Sequence, residues 1–151
     1  MEHPSQILRA HEITWLLANQ LSAVTRFTGL QTVQGLALRI NDFETVIPGV
    51  VIRRPGRATE ATLVADVVSP AVSATDRARQ YAEAGIEWYL VAEPDFTLRP
   101  SVALHLLRRD GTAYRRHTSA RFGQSLTSQQ PFPLIISTAR LIGTTTLTHA
   151  Y

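Results

Sequence analysis

Asp66 is the residue of this chain best placed to do chemistry. It lies among Leu63, Val64, Val67 and Val68, and an ionised carboxylate in such a run is costly to bury unless a metal ion, an arginine or a proton compensates it. A structural ion pair and a functional acid both follow from that pattern. Three arginine groups stand out beside it: Arg53-Arg54 with Arg57, Arg108-Arg109, and Arg115-Arg116. Guanidinium forks suit bidentate phosphate contacts, whereas charged turns and hairpin edges also arise simply to keep strands from pairing with other chains. His11, His105 and His117 have no tight metal-ligand spacing. Ser69 precedes a proline and reads as a strand terminator. Trp15, Trp88 and Tyr89 read as core, with the Trp88-Tyr89 pair placing one ring on each face of a strand.

Composition removes several alternatives. All fifteen basic residues are arginine and none is lysine, which excludes Schiff-base chemistry, a phosphate-loop lysine and a lysine that activates water. Without cysteine there are no disulfides, thiolate nucleophiles or cysteine-ligated metals. A chain of 151 residues with 44% hydrophobic and 18% charged side chains is expected to fold as one domain over residues 1–151. The net charge of +3 is modest, so polyanion binding would depend on local arginine clusters. The first residues lack the pattern of a secretory signal, and no apolar run approaches the roughly 20 residues of a membrane span. A cytoplasmic protein without membrane contact is the expectation.

The elements that must position these residues follow from periodicity. Pro4-Ser5 and the apolar series Ile7, Leu8, Ile13, Leu16, Leu17, Leu21 and Val24 predict a helix over 6–26. Strands are expected over 32–40, with a kink at Gly35, and over 45–53, interrupted at Pro48-Gly49. Segment 61–68 is apolar on both faces except at Asp66, as in a central covered strand. A helix over 74–84 closed by Gly85 and a strand over 86–92 complete a crossover that makes the two strands parallel. A hairpin over 102–108 and 112–117 turns at Asp110-Gly111. Beyond it lie an apolar stretch at 134–136 and a helical turn at 138–141. The expected fold class is mixed α/β (α+β): an N-terminal helix, a twisted mixed sheet with one crossover helix, and a C-terminal β-hairpin.

The run Leu63-Val64-Ala65-Asp66-Val67-Val68-Ser69-Pro70, followed by Thr75-Asp76-Arg77, Tyr81-Ala82-Glu83-Ala84-Gly85-Ile86 and Trp88-Tyr89-Leu90-Val91, closely resembles the Uma-type restriction endonucleases of the PD-(D/E)XK superfamily. The likeness extends to His11-Glu12-Ile13, to Ile47-Pro48-Gly49-Val50-Val51-Ile52-Arg53, and through the Asp110-Gly111 hairpin to Pro131-Phe132-Pro133, covering about residues 8–142. It implies a restriction-endonuclease-like core, N-terminally shortened, whose relatives use magnesium to hydrolyse DNA. Two carboxylates hold the cation there, and a lysine positions or deprotonates the attacking water.

Carried over residue by residue, the central acid matches Asp66, one methylene shorter than the family's usual glutamate. The aspartate of Pro-Asp falls on Gly49, which has no side chain to bind a metal. The lysine falls on Arg77, which can hold a phosphate but cannot serve as a base at neutral pH. The resemblance therefore implies a nuclease fold with an impaired site: Asp66 and Arg77 remain at catalytic positions, Asp66 is the sole matching metal ligand, and Arg53, Arg54 and Arg57 border the cleft as nucleic-acid contacts. Glu12, Glu44 or Glu60 could supply a second carboxylate by reaching Asp66. A non-catalytic module binding DNA or a partner through an arginine-lined cleft, and a structural remnant without ligand, are the other readings. The expected partners are DNA and a second copy of the chain, with no small-molecule cofactor. Asp66 is expected to pair with an arginine or to hold a proton.

Overall fold

The computed structural model describes residues 4–56 and 60–143, with side chains from residue 9 onward. Helix α1 spans Pro4–Thr25. After it come β1 (Gln31–Val33), β2 (Leu38–Arg39), β3 (Thr45–Val46), β4 (Val50–Arg53) and β5 (Ala61–Val67). Helix α2 (Ala74–Glu83) leads into β6 (Trp88–Asp95), β7 (Ser101–Asp110) and β8 (Ala113–Ala120). Strands β9 (Ser125–Ser128) and β10 (Leu134–Ser137) precede a 3₁₀ turn at Ala139–Leu141.

Six strands form the main sheet in the order β1-β4-β5-β6-β7-β8. Only β5 and β6 run parallel, joined through α2 as the crossover pattern predicts. The other neighbouring pairs are antiparallel. Ser73 caps α2 by accepting from the Asp76 N–H, and Gly85 ends the helix region at a φ of 78°, the left-handed geometry that glycine adopts without strain.

Alternation along β5 sends Leu63, Ala65 and Val67 to one face, where Ile13, Leu17 and Leu21 of α1 pack together with Leu126 and Ile136 of the β9-β10 ribbon. Val64 goes to the other face, against Tyr81 of α2 and Leu38, Ile40 and Val46 of the β2-β3 ribbon. Both faces are thus covered, which is why β5 reads as nearly continuous apolar sequence. Trp88 and Tyr89 divide between the two faces as expected.

Two of the predicted strands break at the glycines the sequence marks, and their halves divide between the main sheet and the β2-β3 ribbon. The 32–40 segment breaks into β1 and β2 because Gly35 takes a φ of 73°, turning the chain out of the main sheet. The 45–53 segment likewise divides at Pro48-Gly49: β3 pairs with β2, while β4 joins β5. The β9-β10 ribbon includes the predicted 134–136 stretch, and its partner β9 had no expected counterpart.

Candidate functional site

Asp66 occupies the end of β5, on the face that α2 covers, and is 3% exposed. One carboxylate oxygen, Oδ1, accepts from the Gly49 N–H at 2.9 Å. The other, Oδ2, accepts from the Tyr81 hydroxyl at 2.7 Å and from the Tyr89 hydroxyl at 3.1 Å. The two phenol rings meet edge to face with centroids 4.9 Å apart. Backbone register explains the convergence. Val64 lies opposite Tyr89 across the parallel pair, so Tyr89 projects from the same face as Val64 and Asp66, and Tyr81 descends onto that face from α2.

Arg77 does not pair with Asp66, contrary to the ion-pair expectation. Its Nη1 donates to Tyr81 Oη at 3.3 Å and to the Ile47 carbonyl at 3.2 Å. The chain of donors runs Arg77 to Tyr81 to Asp66. The carboxylate is satisfied by hydrogen bonds to its charged form, with the guanidinium one residue further out.

Burial raises both phenols well above the ordinary tyrosine range, the Asp66 charge raises them further, and the Arg77 cation acts in the opposite sense. Above about pH 10 the unfolded chain releases phenolic protons that the folded chain keeps, so this contribution is intact below that pH and is lost as pH rises, at roughly 1.4 kcal/mol per pH unit for each tyrosine. Urea midpoints are therefore expected to drop steeply between about pH 10 and 11, and Tyr89→Phe should flatten the drop. A midpoint that stays level across that range would show the phenols ionising in place.

Gly49 sits where the chain passes closest to β5. An added Cβ would stand 3.1 Å from the Ala65 carbonyl oxygen and 3.2 Å from Thr14 Cγ2. Its φ is ordinary, so close approach, and not backbone conformation, makes this a glycine position. Gly49, Asp66 and Arg77 line one cleft of about 360 Å³ together with His11, Thr14 and Ser69. The three positions carried over from the resemblance thus converge.

The arginine pair predicted to border the cleft does not. β4 leads from Gly49 away from Asp66, so Arg53 lies opposite Ala61 at the other end of β5, four residues and roughly 13 Å along the strand. Arg54 follows it outward and is exposed. Arg57 lies outside the described residues. The candidate second carboxylates are also elsewhere. Glu44 is engaged by Gln80, Arg79 and Asn41, Glu12 lines a different cavity, and Glu60 precedes β5 at the end remote from Asp66.

Magnesium prefers near-octahedral oxygen ligands. Among the described residues lining this cleft Asp66 is the sole carboxylate, and its oxygens already accept three donors. Among the described residues no group of three His, Cys, Asp or Glu side chains is arranged to hold a metal ion. The donor set does not fit the family's cation. What it does offer is a guanidinium whose Nε and Nη2 are not used in the contacts to Tyr81 and Ile47. Tyr81 and Tyr89 are the residues that the sequence reading missed as partners of Asp66. The two-residue alternation from Val64 to Asp66, coupled to the parallel register, was the signal that could have found Tyr89.

Among the described residues no helix is long and apolar enough to cross a membrane. No family model matches the chain, and no curated protein is similar enough to count as a match. A solved structure described as "a putative nuclease belonging to DUF820", from Anabaena variabilis ATCC 29413, superposes with a TM-score of 0.64 at 12% sequence identity, covering 89% of this chain and 80% of that one. At that identity the likeness concerns the fold: this chain has the mixed α+β architecture of that protein.

Proposed function

We propose that this chain is a Uma-type, restriction-endonuclease-like protein that engages DNA without hydrolysing it. The observation that carries this reading is the use of the central acid. Asp66, at the position of the family's metal ligand, is bound by Tyr81, Tyr89 and the Gly49 N–H, and a cation would have to displace those donors. Gly49 supplies no second carboxylate, and Arg77 stands where the lysine would be. Loss of the metal site leaves the fold and a cleft with one guanidinium edge for a backbone phosphate. The fold likeness to a nuclease-described protein supports the nucleic-acid direction of the reading.

Purified protein incubated with supercoiled plasmid and magnesium or manganese is expected to leave it intact. Cutting that Asp66→Asn abolishes would overturn the proposal. Binding is measured separately, as salt-dependent retardation of a duplex. It should weaken on Arg77→Ala, and Arg53→Ala and Arg54→Ala test whether the remote pair contributes. A chain that neither cuts nor binds would favour the ligand-free remnant.

A further inference from the structure

A second constellation lies on the same face of the sheet as Asp66, with His105 two strands away across Val91. Strands β6, β7 and β8 are neighbours, with Val91 opposite His105 and His105 opposite Ser119. Side-chain alternation places Glu93 on the face of Val91, so Glu93, His105 and Ser119 project together from three successive strands. His105 Nδ1 lies 2.8 Å from Ser119 Oγ, and His105 Nε2 lies 3.4 Å from Glu93 Oε1. The imidazole is largely buried at 16% exposure, whereas Glu93 is open at 56% and Ser119 is exposed. In the neutral tautomer protonated at Nε2 that proton lies on the Glu93 side of the ring, where the 3.4 Å separation is an electrostatic contact without a formed hydrogen bond, and the Nδ1 lone pair faces the serine hydroxyl. That is the sequence nucleophile, base and carboxylate, assembled by strand register in the row that also holds Asp66, and sharing none of the hydrogen bonds of that site.

We propose that Ser119 is a base-activated nucleophile that takes the acyl group of an activated carboxylic ester. Oγ attacks the carbonyl carbon while its proton passes to His105 Nδ1. The bond from that carbon to the leaving oxygen then breaks, and the imidazolium returns the proton to that oxygen. The products are acyl-Ser119 and an alcohol. Glu93 acts as a positioning residue, holding the ring and balancing its transient charge.

The same geometry limits the reaction. In a sheet the backbone N–H groups lie in the plane and serve the strand ladders, so β7 and β8 do not aim a pair of donors at an oxyanion above Ser119. Both acylation and deacylation then lack that stabilisation, so only an activated ester with a good leaving group reacts, whereas the alkyl ester of acyl-Ser119 persists: a single event per chain.

The test uses p-nitrophenyl acetate on the folded full chain. The expected result is a burst of about one nitrophenolate per chain, with the acetyl group located on Ser119 by peptide mass spectrometry. Ser119→Ala, which removes only an exposed hydroxyl, should abolish the burst. His105→Gln should slow it roughly tenfold or more, and Glu93→Gln by a smaller factor. Acetylation of Ser119 no faster than of the other serines, a burst that survives Ser119→Ala, or an unchanged rate in folded His105→Gln would each overturn the proposal.

Discussion

Asp66→Ala is expected to lower the unfolding free energy by about 3–5 kcal/mol, because two buried hydroxyls and a part-buried N–H lose their acceptor at once and each costs roughly 1–3 kcal/mol when unmade. The hydroxyls of Tyr81 and Tyr89 and the N–H of Gly49 all point at this one carboxylate. No water replaces it readily at a position 3% exposed. In a domain of this size the loss corresponds to a melting temperature lower by about 10–15 °C. Urea denaturation followed by circular dichroism measures it. The partners belong to one network, so adding Tyr81→Phe to Asp66→Ala should cost less than the sum of the two changes. A loss under about 1 kcal/mol, the scale of an ordinary exposed site, would show that the carboxylate is not the keystone of the cleft.

Gly49→Asp, which places a carboxylate where the proposed relatives carry one, is expected to destabilise by about 2–4 kcal/mol and to yield no cleavage. The steric part comes from a Cβ at 3.1 Å from a backbone oxygen that cannot swing away and 3.2 Å from Thr14 on α1. The electrostatic part comes from a second carboxylate brought beside Asp66, where like charges disfavour each other. Gly49→Ala isolates the first part and should cost roughly half as much. The paired readout is the urea midpoint and plasmid cleavage in manganese. A stable Gly49→Asp protein that nicks plasmid would mean the cleft can reopen around a cation.

The parts of the fold that local sequence describes are those whose signals are local. Ser73, Gly85 and the apolar runs on either side of them delimit α2 and the parallel pair within a few residues. The 32–40 and 45–53 segments break at Gly35 and at Pro48-Gly49, where the sequence places a kink and an interruption, but the partner of each half was not legible because partner choice is tertiary. Val33 finds Val51 and Leu38 finds Val46, and nothing within either segment specifies which ribbon it joins. The same limit explains the site. Gly49, Asp66 and Arg77 were legible as a set from the resemblance. Asp66's actual partners depended on a hydroxyl from α2 and another from the neighbouring strand. Arg53 was misplaced because closeness in sequence to Gly49 says nothing about direction, and β4 runs away from the cleft.

The tyrosine-bound carboxylate bears on how such proteins are judged across species. An acid whose removal would cost a large share of the fold's stability is held by selection on folding, whatever becomes of catalysis. Under the proposed function, drift at positions 49 and 77 leaves the sheet intact while the acid persists. In homologues that share Tyr81 and Tyr89, the survival of an aspartate at this position would be a mark of thermodynamic constraint. Under the proposed function, the residue at position 77 would then be a better guide to cleavage than the acid.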